Sequence, residues 1–421
     1  MQLLKGLSAF DLVWKIQITN HKESEKVKIT SVEIVPINQT HKKQFIVSTG
    51  PSPASDEYVL VRIKTDEGYE GIGSTYSFQP APKLAAGCSR EGAMALMKDM
   101  ATVLIGKDPL RINDVLGNLE RSVSGQFAEN WHVFSHFDHA LYDLKGKILN
   151  LPVYELLGGL RRDEIPLEYI VSFLPTNEEV AEEAKNAVDA GYKAIKLHVN
   201  REPRNAEQRV KAVRNAIGPD IPLAIDMGMA YHPIDAARLI ERLDKAYGLN
   251  FAEQPINPYD IPGHQFLRSK TNVALTADHS GMSLTQAYEC LRMDLFDNYH
   301  CLLTRVGGIG RAMRYCDLIE TAQRDYQICN MDNSIAGAAA AHFAVSRSDR
   351  GGRYFDELGL YLYLHGTFST DGIKDDIVKQ QAATIKNGIL YAPKGPGLGI
   401  ELDEDMVEKY TAPGLDSIVV Q

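Results

Sequence analysis

Between about residue 165 and residue 384 the chain alternates short apolar runs with full helical stretches, and this rhythm limits the fold more than any other feature. The runs are IPLEYIVSF, YKAIKLHV, IPLAIDM, LNFAEQP, VALTAD, LFDNYHCLLT, YQICNMDNS and GLYLYLHG. Helices read at 176–191, 205–217, 233–245, 283–292 and 309–324, with an Ala-rich apolar stretch at 335–345. Thr176 and Glu179 are placed as a capping box at the start of the first helix, and Gly191 stops it. Short strands separated by whole helices call for a parallel sheet, and eight of them predict a closed (β/α) barrel over 160–384. The competitor is an open doubly wound sheet. That fold often carries a glycine-rich phosphate turn after its first strand, and VSFLPTNEE is not one.

Ahead of the barrel, KITSVEIVPI, QFIVSTG and YVLVRIKTDEGYEGIGS read as strands, with a hairpin turn at 66–68. Residues 91–123 and 132–147 read as helices, so 28–150 is expected to be an α+β unit with a three-stranded sheet. The tail, 385–421, has strand, turn and short-helix character and is expected to fold back onto that unit. Residues 1–27 read as an extension. Lys5, Asp11 and Lys15 interrupt it too often for a membrane span or a secretory signal. A net charge of −10 speaks against a nucleic-acid binder. Cys88, Cys290, Cys301, Cys316 and Cys329 form no CxxC pair and read as reduced thiols of a cytoplasmic protein.

Three consecutive strand ends carry an acid: Asp226 in LAIDMG, Glu253 in NFAEQP and Asp278 in LTADHS. One such acid alone is more often a helix cap. Three on neighbouring strand ends repel unless a cation lies among them, and hard oxygen ligands suit Mg²⁺. Asn298 and His300, on the following strand, are near enough to add polar contacts. On the second strand Lys196 and His198 lie two residues apart, on one face. Lys193 falls outside that pair and reads as solvated.

These pieces resemble the enolase superfamily, in the branch of mandelate racemase and muconate lactonizing enzyme. The likeness runs from about 28 to 420, through HALYDLKGK, LPVYELLGG, GYKAIKLH, the AID, AEQP and TADHS acids, RVGGIGRA, SIAGAAAAHFA and PGLGIELDED. It implies a modified TIM barrel capped by the N-terminal α+β domain, which the C-terminal tail completes. It also implies Mg²⁺ held by the three acids, a small-molecule carboxylate substrate, and a homo-oligomer, from dimer to octamer. The shared chemistry is removal of the proton α to a carboxylate. The family's Lys-x-Lys becomes Lys196-x-His198 here, which makes His198 the candidate base and Lys196 the partner of the substrate carboxylate.

The opposite face departs from the pattern. The sixth-strand lysine of the muconate-lactonizing kind is replaced by Leu302, and the racemase Asp–His pair is also missing. Candidates for a second acid are Asp332, His279, His300 and His365. Loss of the sixth-strand lysine tilts the expectation towards dehydration of a hydroxy acid or acid sugar, with racemisation, epimerisation or cycloisomerisation as the alternatives. His41, Lys42 and Lys43, in an early loop, would favour an anionic or polyhydroxylated substrate if they face the site. Two rivals remain at this level: a barrel that has lost catalysis, and a phosphate-binding barrel using the RVGGIG glycines.

Overall fold

The computed structural model describes residues 27–47, 50–51, 54–75, 89–123, 131–330, 332–348 and 354–421, so nearly all of the expected 1–27 extension and Cys88 lie outside the described residues. The first part runs β1 (Ile29–Thr40), a β2–β3 hairpin (Ile46–Val47, Gly50–Pro51), β4 (Ser55–Thr65) and β5 (Glu70–Ser74). After these come α1 (Arg90–Thr102), α2 (Ile112–Val123), α3 (Trp131–Leu149) and α4 (Val153–Leu156). β4 and β5 pair antiparallel across the expected turn, where Gly68 takes φ +81°. α3 lies directly on β5 because two glycines let it: a Cβ on Gly73 would stand 2.0 Å from the His136 carbonyl oxygen.

The second part begins with β6 (Glu164–Pro166) and continues β7 (Glu168–Val171), α5 (Asn177–Asp189), β8 (Ala194–His198), α6 (Pro203–Ile217), β9 (Leu223–Asp226) and α7 (Pro233–Tyr247). Then follow β10 (Phe251–Glu253), α8 (Ile261–Arg268), β11 (Ala274–Ala277), α9 (Leu284–Arg292), β12 (Asn298–Leu302), α10 (Leu303–Val306), α11 (Ile309–Thr321), β13 (Asp325–Cys329), α12 (Ser334–Val345) and α13 (Leu360–Leu364). The tail supplies β14 (Thr384–Lys386), β15 (Ile389–Tyr391), α14 (Glu404–Tyr410) and β16 (Ile418–Val420). β7 to β13 form one parallel sheet in sequence order. Its strands bury both faces, as a parallel sheet covered by helices must. The Thr176–Glu179 capping box opens α5 as expected.

The eighth strand is not where the alternating GLYLYLHG places it. Leu360–Leu364 is a short buried helix, because a run of Leu and Tyr with no polar face fits a buried helical turn as well as a strand. The eighth position is taken by Asp356 and Glu357, which bridge in parallel to Leu167 and Cys329 and so join the two edges of the sheet. This join makes the structure a modified, incompletely regular barrel.

The tail returns to the first part. β16 pairs with β1, which extends the sheet to the order β16-β1-β4-β5. The buried Asp143 on α3 fixes that return, accepting the Leu398 N–H at 2.8 Å on one oxygen and the Ile72 N–H at 2.8 Å on the other. Among the described residues no helix is long and apolar enough to cross a membrane. Cys290, Cys301, Cys316 and Cys329 are free and buried.

Candidate active site

The ends of β8 to β11 bring their polar residues to one mouth of the barrel. Lys196 is buried on β8 with its Nζ 2.5 Å from Glu253 Oε2 and 2.5 Å from Glu357 Oε1. Burial works against its charge, but the two carboxylates outweigh burial and raise its pKa well above the ordinary lysine value. Two residues on, His198 directs Nδ1 to Asp226 Oδ2 at 3.0 Å. Its other nitrogen, Nε2, is buried without a hydrogen-bond partner. Phe45, from the β1–β2 connection, packs edge-on against the imidazole with ring centroids 5.7 Å apart. Asp226 also accepts the Gly228 N–H at 2.8 Å. Burial would raise its pKa; His198 overcomes that and holds it at about 2.

Glu253 pairs in register with Asp226 on the neighbouring strand. Asp278 follows β11 and has a nitrogen at each oxygen: Arg305 Nη1 at 2.6 Å from Oδ1 and His279 Nδ1 at 2.6 Å from Oδ2. Burial opposes its ionisation, but Arg305 and then His279 keep it well below the carboxylate range. His300 stands between two of the acids, with Nδ1 3.5 Å from Glu253 and 3.9 Å from Asp278.

Among the described residues, two buried groups of side chains have ligand atoms mutually within 4.8 Å: Glu253, Asp278 and His300, and His300, Cys329 and Glu357. The first has two of the three expected acids and suits a hard divalent cation, with Asp226 on the adjoining strand end turned to His198. In the second, the Lys196 ammonium already lies against Glu357.

Asp332, three residues beyond β13, is buried, and its Oδ2 has no hydrogen-bond partner. Burial pushes its carboxyl up to about 7, with Thr304 and Arg305 resisting. Arg305 thus pairs with Asp278 and also favours the charged form of Asp332. Leu302 is buried at the end of β12.

His365 is not at a strand end. It caps α13, with Nε2 3.9 Å from Asp376, among His41, Lys42 and Asp56 rather than among the strand-end acids. His41 pairs with Asp56 at 2.8 Å, Lys42 approaches Asp375 at 3.6 Å and Lys43 approaches Glu183 at 3.7 Å. Lys193 is exposed, as expected.

Glu357 is the site residue that sequence reasoning missed. Reading LYLYL as the last strand moved the eighth strand end past it, although the Asp-Glu pair sits one strand–helix interval beyond Cys329. The RVGGIG turn is occupied from within. Asp138 of α3 accepts the N–H groups of Ile309 at 2.6 Å and Gly310 at 3.2 Å, filling the helix start that a phosphate would need.

Comparison with known proteins agrees with this architecture over nearly the whole chain. Residues 29–158 match the mandelate racemase / muconate lactonizing enzyme N-terminal domain, and residues 179–406 match the enolase C-terminal domain-like family. The N-succinyl-L-Arg/Lys racemase of Bacillus cereus is 27% identical over 91% of this chain and 98% of its own. A chloromuconate cycloisomerase of Pseudomonas putida is 26% identical over 92% of this chain and all of its own. A mandelate racemase/muconate lactonizing family protein from Azoarcus sp. EbN1 superposes with a TM-score of 0.84 at 29% identity, over 94% of this chain and 100% of that one. The chain therefore belongs to the mandelate racemase and muconate lactonizing enzyme branch of the enolase superfamily, and its buried strand-end cluster is that of a metal-dependent enzyme of this kind.

Proposed function

We propose that the protein moves the proton α to the carboxylate of a small-molecule substrate from one face to the other, as a racemase or epimerase. The observation that carries this is a pair of buried, unpartnered polar atoms, His198 Nε2 and Asp332 Oδ2. They come from different strands of the barrel: β8 is its second strand, whereas Asp332 follows the seventh.

Asp226, Glu253 and Asp278 are the residues we assign to Mg²⁺. When bound there, the cation supplies stabilisation of the negative charge that develops on the substrate carboxylate. The Lys196 ammonium, held in place by Glu253 and Glu357, offsets part of that charge from the second strand. His198 Nε2 takes the α-proton, with Asp226 at Nδ1 fixing the ring and favouring the imidazolium that forms. The Asp332 carboxyl then delivers its proton to the other face of the enolate, leaving Asp332 ionised and His198 protonated until both exchange with solvent. A carboxyl half-protonated at about pH 7 can work in either direction. The named relatives favour a reaction of this kind, one being a racemase and another a cycloisomerase.

One observation favours dehydration instead. Leu302 leaves the sixth strand end without a proton carrier, so His198 would act alone, first as base and then as acid to a departing hydroxide on the same face. Incubation in D₂O with Mg²⁺ and sugar acids, hydroxyproline-like acids and N-acyl amino acids, followed by NMR, separates the two. Deuteriation with inversion and no loss of water is the expected result. A 2-keto-3-deoxy product would select dehydration. We further infer a cytoplasmic homo-oligomer with neither nucleic acid nor membrane among its partners. Light scattering after size exclusion tests the assembly.

A further inference from the structure

The residue that follows Asp332 ties the strand-seven loop to the capping domain. Asn333 is buried, and both ends of its amide are used. Its Oδ1 accepts the N–H groups of Ile335 at 3.1 Å and Ala336 at 3.2 Å, which caps α12. Its Nδ2 donates to Ser74 Oγ and to the Thr75 carbonyl oxygen, each at 3.0 Å. Those acceptors lie at the end of β5, on the other domain, and that end is itself anchored. Ser74 Oγ donates to the Val59 carbonyl at 2.9 Å, the Ser74 carbonyl is 3.0 Å from His139 Nδ1, and Thr75 Oγ1 is 2.9 Å from His136 Nδ1.

The next residue repeats the pattern. Ser334 Oγ donates to Asp376 Oδ2 at 2.5 Å, and Gln39 of β1 donates to Oδ1 of the same carboxylate at 3.3 Å. Two consecutive residues after Asp332 are therefore held by bonds that lead to capping-domain strands. Asp332 itself has an oxygen without a partner, so its own contacts do not account fully for its placement.

We propose that Asn333 is a positioning residue for the second face of the reaction: its amide makes the β5 end of the capping domain the surface against which Asp332 is held. The proposal rests on the reading of Asp332 as the second proton-transfer group. An asparagine suits the place because it offers a cap acceptor and two donors at once. Serine keeps an acceptor for the α12 cap but does not reach β5. Aspartate keeps the cap and turns an oxygen towards the Thr75 carbonyl.

The test compares Asn333→Ser, Asn333→Asp and Asp332→Asn by NMR in D₂O, starting from each stereoisomer of a turned-over substrate. Both Asn333 variants keep an acceptor for α12, and a thermal melt checks their folding. They should lower kcat for proton transfer on the Asp332 face by roughly 10- to 100-fold, the effect of a displacement of about 1 Å. Exchange on the His198 face and KM should stay near wild type. If Asp332→Asn is one-sided but the Asn333 variants lose both faces equally or neither, the proposal is overturned and the role of Asp332 stands. If Asp332→Asn is not one-sided, the underlying reading fails and the proposal falls with it.

Discussion

Replacing Asp332 with Asn should stabilise the protein while damaging its reaction. An ordinary aspartate ionises near 3.8, whereas burial holds Asp332 up at about 7. Between those pH values the unfolded chain has released this proton and the folded chain still binds it. Folding then takes up a proton, and stability falls as pH rises through the window. Between 3.8 and about 7, at about 1.4 kcal/mol for each tenfold change in proton concentration, the penalty reaches about 4 kcal/mol above pH 7. It vanishes below about pH 4, where the carboxyl is protonated in both states. Asn does not titrate, so Asp332→Asn should gain little at pH 4 and about 4 kcal/mol at pH 8, on top of a pH-independent offset from the changed shape. Urea unfolding of both proteins at pH 4.5, 6 and 8 reads this difference directly, provided the m-value is unchanged. A difference that stays flat with pH would refute the reasoning, since it would mean that Asp332 is not held protonated. A gain in stability alongside lost inversion is the pattern expected of a residue kept for function at a cost to the fold.

Three further outcomes follow from the same structure. Burial pushes His136 and His139 down to about 3 and about 4, so the unfolded chain takes up protons below pH 6.5 that the folded chain refuses; stability should fall between pH 6.5 and 4, and His136→Asn should flatten that loss in urea titrations. Glu357→Leu leaves the buried Lys196 ammonium with one close carboxylate fewer and should destabilise by about 3–5 kcal/mol, with Glu357→Gln milder, again by urea unfolding. Gly308→Ala should lower the thermal midpoint, because Gly308 takes φ +93° and a Cβ there would stand 2.3 Å from the Asp138 carboxyl carbon; strain of this kind is worth about 1–3 kcal/mol before the clash is added.

The parts of this protein that follow local rules were readable from its sequence. Strand–helix alternation is set by side-chain periodicity, the Thr176–Glu179 cap by neighbours three residues apart, and the strand-end acids by the regular return of the barrel. What escaped depends on contacts distant in sequence. Glu357 reaches Lys196 only because Asp356 and Glu357 join the sheet edges, and an alternating Leu/Tyr run a few residues later imitated the strand. His365 looked like a strand-end residue for the same reason and lies instead beside Asp376. His300 reads as a neighbour in the sequence, but its place 3.5 Å from Glu253 and 3.9 Å from Asp278 depends on residues of two other strand ends. Asn333 was unreadable because its partners belong to β5, some 260 residues earlier.

The most direct test of two-faced proton transfer is to follow α-deuteriation of each stereoisomer of one substrate separately, in wild type, His198→Asn and Asp332→Asn. The wild type should exchange both. Each variant should lose exchange of one configuration, by about 100-fold or more, and largely keep the other, with the two variants failing on opposite isomers. Loss of both configurations in either variant, or of the same configuration in both, would contradict the assignment of His198 and Asp332 to opposite faces.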